Sequence, residues 1–313
     1  MDTEDPFLPD FIISARVRYP LGLRAHDEAS AMSAVALDEE GAAREGNPEL
    51  AATGLDYRLA RTTEERLGAF QLIHNAYVRA GLGAPNVVGM RVTPYQVLPT
   101  SQIFVGVLQD EVVSTVSLIG DGELGLPMES MFSEEVAQLR GEGERMAEVS
   151  CLADRRQDGK RFLATFRALT KLMAQFARYE GIQSLMITVN PRHVRFYTKE
   201  LGFLPISRHI AACPYVQDRP AVALRLEFAH VDRDRPACYD EYFSQWIERQ
   251  QLRRYTICRH EMAFLSGVTT AREMVEIPNL VKPDPAGHEM PVLAAVAQTS
   301  AIGGELANLT PAF

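Results

Sequence analysis

Hydrophobic and polar positions follow two different periods along the middle of the chain, and together they predict an α/β domain. Period-two alternation is typical of strands, whereas apolar residues three or four positions apart are typical of helices. Segments with the strand pattern and segments with the helix pattern alternate between Asp56 and Phe228. The predicted order is strand, helix, two antiparallel strands, short helix, strand, helix, strand, helix and two strands, which indicates a mixed sheet flanked by helices.

Local sequence signals set several boundaries within this domain. Thr62 and Glu65 have the spacing of a capping box, which predicts the start of the first helix. Gln109 and Asp110 interrupt two extended apolar runs, so they predict the turn of a hairpin. Residues 81–100 are rich in glycine and proline and predict a long irregular connection. In a compact domain such a connection is often functional.

One predicted strand carries a carboxylate among apolar neighbours. Alternation from Met146 to Leu152 places every second residue, including Glu148, on one face and residues such as Cys151 on the other. Burying an unpaired carboxylate costs several kcal/mol or raises its pKa. Glu148 is therefore at an exposed edge, in an ion pair or placed for proton transfer, and the spacing alone leaves all three open.

A basic loop follows this strand. Residues 155–160 read Arg-Arg-Gln-Asp-Gly-Lys and precede a predicted helix, whose first N–H groups and dipole favour an anion. Together with Arg161, Arg167 and Lys171 they predict a basic face. A solvated helix face explains the same charges equally well.

The sequence outside residues 56–230 differs in composition and in the periodicity of its apolar residues. Residues 1–55 contain few large apolar side chains and predict an N-terminal arm that is partly disordered. Residues 231–277 predict a helical appendage, and residues 278–313, rich in proline, glycine and alanine without a period, predict a flexible tail. The expected division is therefore an arm, an α/β domain, an appendage and a tail.

Composition narrows the function classes. With 313 residues, 46% hydrophobic content and a net charge of -9, the chain can bury a large core and does not have the basic surface of a nucleic-acid binder. The four cysteines form no CxxC pair, and the seven histidines show no ligand spacing, so no metal is expected. The acidic start and the absence of a long apolar run predict neither a signal peptide nor a membrane span. We therefore expect a cytoplasmic protein.

A motif near the end of the α/β region resembles one in the GNAT acyltransferase superfamily, where it follows the fifth strand. The matching residues are His193, Phe196, Tyr197, Leu201, Gly202 and Phe203. Two further stretches, DEVVSTVSLIGDGELGLPMESMF and MAEVSCLADRR, resemble the branch that depends on acyl carrier protein. That branch contains the acyl-homoserine lactone synthases and the long-chain N-acyl amino acid synthases. Cys151 stands where the lactone synthases carry arginine, so the resemblance is closer to the second group.

This resemblance implies a GNAT-like, mainly antiparallel mixed sheet and an N-acyltransferase. The enzyme would move a long-chain acyl group from acyl carrier protein to the amino group of an amino acid or similar amine. Acyl-phosphopantetheine on the carrier protein, or acyl-CoA, would be the co-substrate, and no permanently bound cofactor is expected. The alternatives are an acetyl-CoA-dependent N-acetyltransferase and a catalytically silent domain that acts as an interaction module.

The resemblance also assigns roles to individual residues. Glu148 would accept the proton of the amine, and Tyr197 would protonate the leaving thiolate. The backbone at Cys151 and Leu152 would bind the thioester and the pantetheine amides.

Further residues would hold the rest of the two substrates. The expected phosphate-binding residues are Arg155, Arg156, Gly159 and Lys160. Met128 and Met131 would border the acyl pocket, with core packing as the alternative. Asp121 or Glu123 could receive the substrate ammonium, and Arg58 or Arg91 its carboxylate.

Overall fold

In the described part of the chain, one mixed sheet of eight strands organises the fold. The computed structural model describes residues 55–155 and 159–268, and for residues 159–161 it describes the backbone alone. The strands are β1 Leu55–Leu59, β2 Ser101–Leu108, β3 Glu111–Gly120, β4 Met146–Asp154, β5 Ser184–Val189, β6 Leu204–Pro205, β7 Ala211–Cys213 and β8 Arg219–Glu227. Their order in the sheet is β1-β2-β3-β4-β5-β8-β6, with β7 also paired to β8.

The sheet is mainly antiparallel. Among the described strands, β4 and β5 are the parallel pair, and the other neighbouring pairs are antiparallel. A parallel pair needs a crossover connection, which the helix between β4 and β5 supplies. The predicted fold class, a mixed and mainly antiparallel sheet flanked by helices, is confirmed.

Helices cover both faces of the sheet. They are α1 Thr63–Arg79, α2 Glu129–Gly141, α3 Gly159–Tyr179, α4 Val194–Glu200, α5 Phe228–Asp234, α6 Tyr239–Phe243 and α7 Arg259–Gly267, with 3-10 turns at Pro94–Val97, Pro191–His193 and Pro214–Val216. One apolar core joins α3, α4 and α6 to one face. Two adjoining cores, which share Met131, join α1 and α2 to the other face. We refer to these as the α3 face and the α1 face.

The local sequence signals are confirmed. Thr62 Oγ1 accepts a hydrogen bond from Glu65 N at 3.2 Å, and Glu65 Oε2 accepts one from Thr62 N at 3.3 Å, which completes the capping box. The β2–β3 turn has left-handed backbone at Gln109 (φ 50°) and Asp110 (φ 64°). Such a turn matches the twist of the two strands that it joins.

β4 departs from the simple alternation that the sequence predicted. Cys151 has a φ of 55°, and the β3–β4 register shifts between Thr115 and Ser117, so the strand contains a bulge. Beyond the bulge, Leu152 packs on the α3 face, whereas Cys151 packs on the α1 face. The prediction that Leu152 shares a face with Glu148 is therefore wrong, because one extra residue reverses the alternation.

Most of the two predicted terminal segments lies outside the described residues. The arm is described only from Leu55, and the tail at 278–313 is not described. Within the region predicted as a helical appendage, the structure places α6 and α7. No helix in the described part of the chain has both the length and the apolar character that a bilayer crossing requires.

Candidate active site

A gap opens in the middle of the sheet. β4 and β5 pair only at Met146↔Ser184, Ala147↔Leu185 and Glu148↔Met186. Further along, the described part of β4 pairs with β3 and that of β5 pairs with β8. The two parallel strands thus separate directly after Glu148, and the backbone edges that face this gap are open to a ligand with amide groups.

Glu148 is buried beside the gap. Its side chain lies on the α1 face, is 3% exposed and accepts a hydrogen bond at Oε2 from Met128 N at 2.8 Å. Among the described residues it has no ion-pair partner. The pKa of Glu148 is raised to about 8, mainly by burial, while the Met128 N–H opposes the shift and the nearby Glu129 carboxylate contributes to it. Glu148 is thus neither at an exposed edge nor ion-paired with a described residue, and a raised pKa of this kind is common at functional sites.

The loop that supplies the Met128 N–H is fixed by ionic contacts. Arg140 binds Asp121 through two N–H groups at 2.8 and 2.9 Å and also contacts Glu129. Glu129 in turn accepts from Leu126 N at 2.7 Å. These contacts hold the turn before α2 over Glu148. The carboxylate of Asp121, expected to receive the substrate ammonium, therefore already has a cation partner.

Aromatic residues from distant segments complete the α1 face of the site. Tyr95 lies in the 3-10 turn of the long connection, and its side chain is close enough to that of Tyr215 for the two to interact electrostatically. Burial raises the pKa of Tyr95 well above its usual value, and the Tyr215 contact and the Glu148 charge add to this shift. Burial likewise raises the pKa of Cys213 to about 11, with Glu148 as a further cause. Both groups are thus within electrostatic reach of Glu148.

Arg91 approaches this group from the same long connection. Its guanidinium donates to Tyr215 O at 2.9 Å and lies 4.7 Å from the centre of the Tyr77 ring. Arg58, the other residue expected to receive a carboxylate, lies in the edge strand β1 and forms ion pairs with Asp56 and Glu65. Of the two arginines, Arg91 is the one that the structure places near Tyr215.

An apolar cavity of about 70 Å³ lies on the α3 face of the gap. It extends from β4 and β5 beneath α3 and α4 to α6. Its lining includes Val149, Ser150 and Leu152 of β4, Leu185, Ile187 and Val189 of β5, Phe166, Thr170 and Met173 of α3, Tyr197 and Leu201 of α4, and Tyr242 and Phe243 of α6. Met128 and Met131, predicted to border the acyl pocket or to pack in the core, lie in a core cluster on the α1 face.

Tyr197 and Thr188 are among the hydroxyl-bearing residues that line the cavity near the gap. Tyr197 is 6% exposed, and burial keeps its pKa well above the usual value, so its phenol stays protonated. Thr188 is 2% exposed, and its hydroxyl has no hydrogen-bond partner in the described part of the chain. Because Met186 packs on the α1 face and Ile187 on the α3 face, alternation directs the Thr188 side chain toward the side of Glu148. Buried polar groups are rarely left unpaired.

The predicted phosphate-binding residues are described in part. Arg155 is exposed and pairs with Glu111 at 2.8 Å. Gly159 begins α3, as expected for a loop before a helix. Arg156 and the side chain of Lys160 lie outside the described residues.

Sequence reasoning missed Tyr95, Tyr215, Thr188 and the α6 residues. The long connection at 81–100 was a signal for Tyr95, and Thr188 carries a hydroxyl near the end of a strand whose other polar residue is Ser184. His193 of the GNAT-like motif is buried at 3% exposure, and burial lowers its pKa to about 4. The described residues contain no cluster of histidine, cysteine or carboxylate groups arranged to hold a metal ion.

Comparisons with known proteins identify a family. Residues 68–227 match the family described as "N-acyl amino acid synthase FeeM". Curated proteins give no significant match to this chain. A solved structure of FeeM, an N-acyl amino acid synthase from uncultured soil microbes, is 26% identical over 63% of this chain and 96% of its own, with a TM-score of 0.49.

Two further solved structures are more distant. The AHL synthase LasI is 12% identical over 62% of this chain and 96% of its own, with a TM-score of 0.40. A GNAT-family acetyltransferase from Streptococcus pneumoniae is 12% identical over 55% of this chain and 98% of its own, with a TM-score of 0.39. The family match at 68–227 spans just over half of the 313 residues. The chain therefore belongs to the FeeM N-acyl amino acid synthase family, and it is an N-acyltransferase.

Proposed function

We propose that this enzyme moves a long-chain acyl group from the phosphopantetheine thioester of an acyl carrier protein to the α-amino group of an amino acid. The observation that carries the proposal is the position of Glu148. It is a buried carboxylate without an ion-pair partner among the described residues, at the last paired position before β4 and β5 separate. A buried carboxylate that lowers the stability of the fold and lies beside an open gap in the sheet is a candidate catalytic residue.

The proposed reaction uses both faces of the sheet. The thioester lies in the gap, the alkyl chain enters the apolar cavity on the α3 face, and the amine approaches from the α1 face. The amine nitrogen attacks the carbonyl carbon while its proton passes to ionised Glu148, directly or through one water. The C–S bond of the tetrahedral intermediate then breaks, and Tyr197 donates a proton to the departing thiolate. The products are the amide and the free pantetheine thiol.

Hydrogen-bond donors at the gap would stabilise the intermediate. The backbone of β4 at Cys151 and Leu152 lies where the strand has left β5, and the left-handed bulge at Cys151 turns the chain at this point. We assign the carbonyl oxygen and the pantetheine amides to these backbone groups. The hydroxyl of Thr188 is a further donor to the same oxygen.

The acceptor would bind among the α1-face residues. Its carboxylate would pair with Arg91, and the Tyr95 and Tyr215 hydroxyls would border its amine and side chain. Glu123 is exposed, and Asp121 is bound by Arg140, so neither is part of this proposed site. This assignment makes the acceptor an α-amino acid rather than a simple amine.

The donor phosphate would bind at the start of α3, through Arg155, Arg156, Lys160 and the backbone at Gly159. A loop with one glycine suits the single phosphodiester of a carrier protein better than the pyrophosphate of coenzyme A.

The four cysteines are free thiols. Free thiols fit the reducing cytoplasm, where we propose that the enzyme acts.

The two alternatives are less well supported. An acetyltransferase would need a short closed pocket, whereas the apolar cavity continues from the gap to α6. A catalytically silent domain gains nothing from an unpaired buried carboxylate, because burial destabilises the ionised form.

A direct assay tests the proposal. Purified enzyme is mixed with a long-chain acyl carrier protein, or with the same acyl group on coenzyme A, and a pool of amino acids. Mass spectrometry is expected to detect N-acyl amino acids, formed faster from the carrier protein. Folded enzyme that yields no N-acyl product from either donor would contradict the proposal, and faster transfer from coenzyme A would overturn the carrier-protein assignment.

Thr188→Val is expected to lower kcat about tenfold, the value of one hydrogen bond to the carbonyl oxygen. The same change is expected to raise the free energy of unfolding by about 1 kcal/mol, because it removes a buried hydroxyl without a partner in the described structure. Steady-state kinetics and urea unfolding measure the two effects.

Thr115→Val is the matched control. Thr115 is fully buried in β3, and its hydroxyl donates to Phe104 O at 3.0 Å. This variant should lose stability and keep its kcat. Unchanged turnover in Thr188→Val would remove Thr188 from the proposed site.

Arg155→Ala and Arg156→Ala are each expected to slow association with the acyl carrier protein severalfold in low salt, because basic residues steer an acidic partner. The difference from wild type should vanish between about 0.1 M and about 1 M salt, as the Debye length falls from about 10 Å to about 3 Å. Stopped-flow binding measures these rates. Glu111→Gln, which releases Arg155 from its ion pair, is the control and should speed association. An effect of equal size at all salt concentrations would contradict steering.

A further inference from the structure

The far end of the apolar cavity is built by residues outside the segment that matches the family. The match ends at residue 227. The cavity is nevertheless lined also by Val231, Cys238, Tyr242 and Phe243. The segment 231–243, which we call the C-terminal cap, therefore lies opposite the gap across the cavity.

Hydrogen bonds fix the C-terminal cap to α3. Tyr242 Oη and Thr170 Oγ1 are 2.6 Å apart. Gln175, which is fully buried, donates to Tyr242 O at 2.6 Å and to Gln245 O at 2.9 Å, and it accepts from Ile247 N at 2.7 Å. The polar groups at this end of the cavity thus bond to one another, and the end is a fixed wall.

The occupant that this chemistry fits is a saturated hydrocarbon chain. The walls are almost entirely apolar, and the hydroxyls of Thr170 and Tyr242 bond to each other rather than to a ligand. Apolar cavities tend to stay free of water and accept apolar ligands. A charged or polar group placed there would lose its hydration without gaining partners.

We propose that the C-terminal cap closes the acyl pocket and sets the longest acyl chain that the enzyme transfers, with the rings of Tyr242 and Phe243 as the stop. This inference rests on the proposed function, in which the alkyl chain enters the cavity from the gap. Each methylene that reaches the pocket raises kcat/KM about fourfold. Once the acyl chain reaches the rings of Tyr242 and Phe243, a further methylene no longer raises kcat/KM, because a longer chain must displace the two rings.

The test is a competition among saturated acyl donors of increasing length, with products measured by mass spectrometry. Tyr242→Ala and Phe243→Ala are each expected to lengthen the preferred acyl chain by about two methylenes. With the variant, the kcat/KM of this longer chain should exceed that of the chain preferred by wild type by about 15-fold. Cys238→Phe fills the same space and should shift the preference to shorter chains.

Two controls separate chain length from folding. Tyr242→Phe keeps the ring and loses the bond to Thr170, so it should keep the wild-type preference. Trp246→Ala truncates a ring 6.0 Å from that of Phe243 that is 60% exposed and does not line the cavity, and it should also leave the preference unchanged.

The outcomes distinguish the two proposals. If wild-type enzyme transfers no acyl chain, the proposed function fails. If wild-type enzyme is active and the cavity variants keep its length preference, the C-terminal cap is not the stop, and the proposed function stands. If the alanine variants do not fold, Cys238→Phe decides, since a preference that does not shorten overturns the inference.

Discussion

Replacing Glu148 by glutamine is expected to lower kcat about 10²- to 10⁴-fold, the usual contribution of a positioned general base. Glutamine keeps the size of the side chain and can accept the Met128 N–H bond, so the loop over the gap should stay in place. What it cannot do is take the proton of the attacking amine. Steady-state kinetics at about pH 8.5, where most of Glu148 is ionised in the wild type, measure the loss.

The same variant is expected to be more stable than wild type in alkaline solution. The pKa of Glu148 is raised from 4.5 to about 8 in the folded protein, mainly by burial. Between these pH values the folded state keeps a proton that the unfolded state has released, so stability falls as pH rises. Glutamine has no such titration. The variant should match wild type near pH 4.5 and exceed it above pH 8 by on the order of 3 to 5 kcal/mol.

Urea unfolding across this pH range measures the difference, and Glu123→Gln provides the control. Glu123 is an exposed carboxylate of the loop before α2, so its loss should change neither kcat nor the pH dependence of stability. A Glu148→Gln variant that loses stability at every pH would show that the carboxylate has a structural role instead. Retained turnover would remove Glu148 from the mechanism.

Glu261→Ala is expected to lower the free energy of unfolding by about 3 to 5 kcal/mol, because it leaves the charge of Arg66 buried without its carboxylate. Arg66 is 2% exposed, and its Nη2 donates to Glu261 Oε2 at 2.7 Å. It also donates to Ala60 O at 3.0 Å and lies 4.3 Å from the Tyr255 ring centre. This pair joins α7, beyond the matched segment, to α1. Urea unfolding measures the loss.

A double variant separates the charge effect from packing. Arg66→Met combined with Glu261→Leu should recover most of the lost stability, since apolar residues of similar size can replace a buried ion pair. A Glu261→Ala protein as stable as wild type would show that α7 is not firmly packed against α1. The division into an α/β domain and a helical appendage remains a proposal that this experiment also addresses.

The features that the sequence predicted correctly depend on local chemistry. The capping box at Thr62 and the turn at Gln109 and Asp110 each involve residues that are neighbours in the chain, so spacing is enough to identify them. Period two likewise predicted β4. It could not predict the bulge at Cys151, because that depends on the register with β3. The consequence was the wrong face for Leu152.

The parts of the site that the sequence did not predict depend on tertiary contacts. Tyr95 and Tyr215 are far apart in the chain and meet only when their 3-10 turns pack on the α1 face. α6 spans only Tyr239–Phe243, too short for a helical period to show which residues line the cavity. For Glu148, alternation left three interpretations, and only the structure gives the burial and the partners on which our proposal of proton transfer rests.

The pH dependence of kcat/KM for wild type and Glu148→Gln, with an acyl carrier protein donor and an amino acid acceptor, tests the central claim most directly. Titration of the acceptor amine affects both proteins equally, so their ratio isolates Glu148. The ratio of wild-type to variant activity is predicted to rise about tenfold per pH unit below about pH 8 and to level off above it. A ratio that stays constant across this range would contradict Glu148 as the proton acceptor.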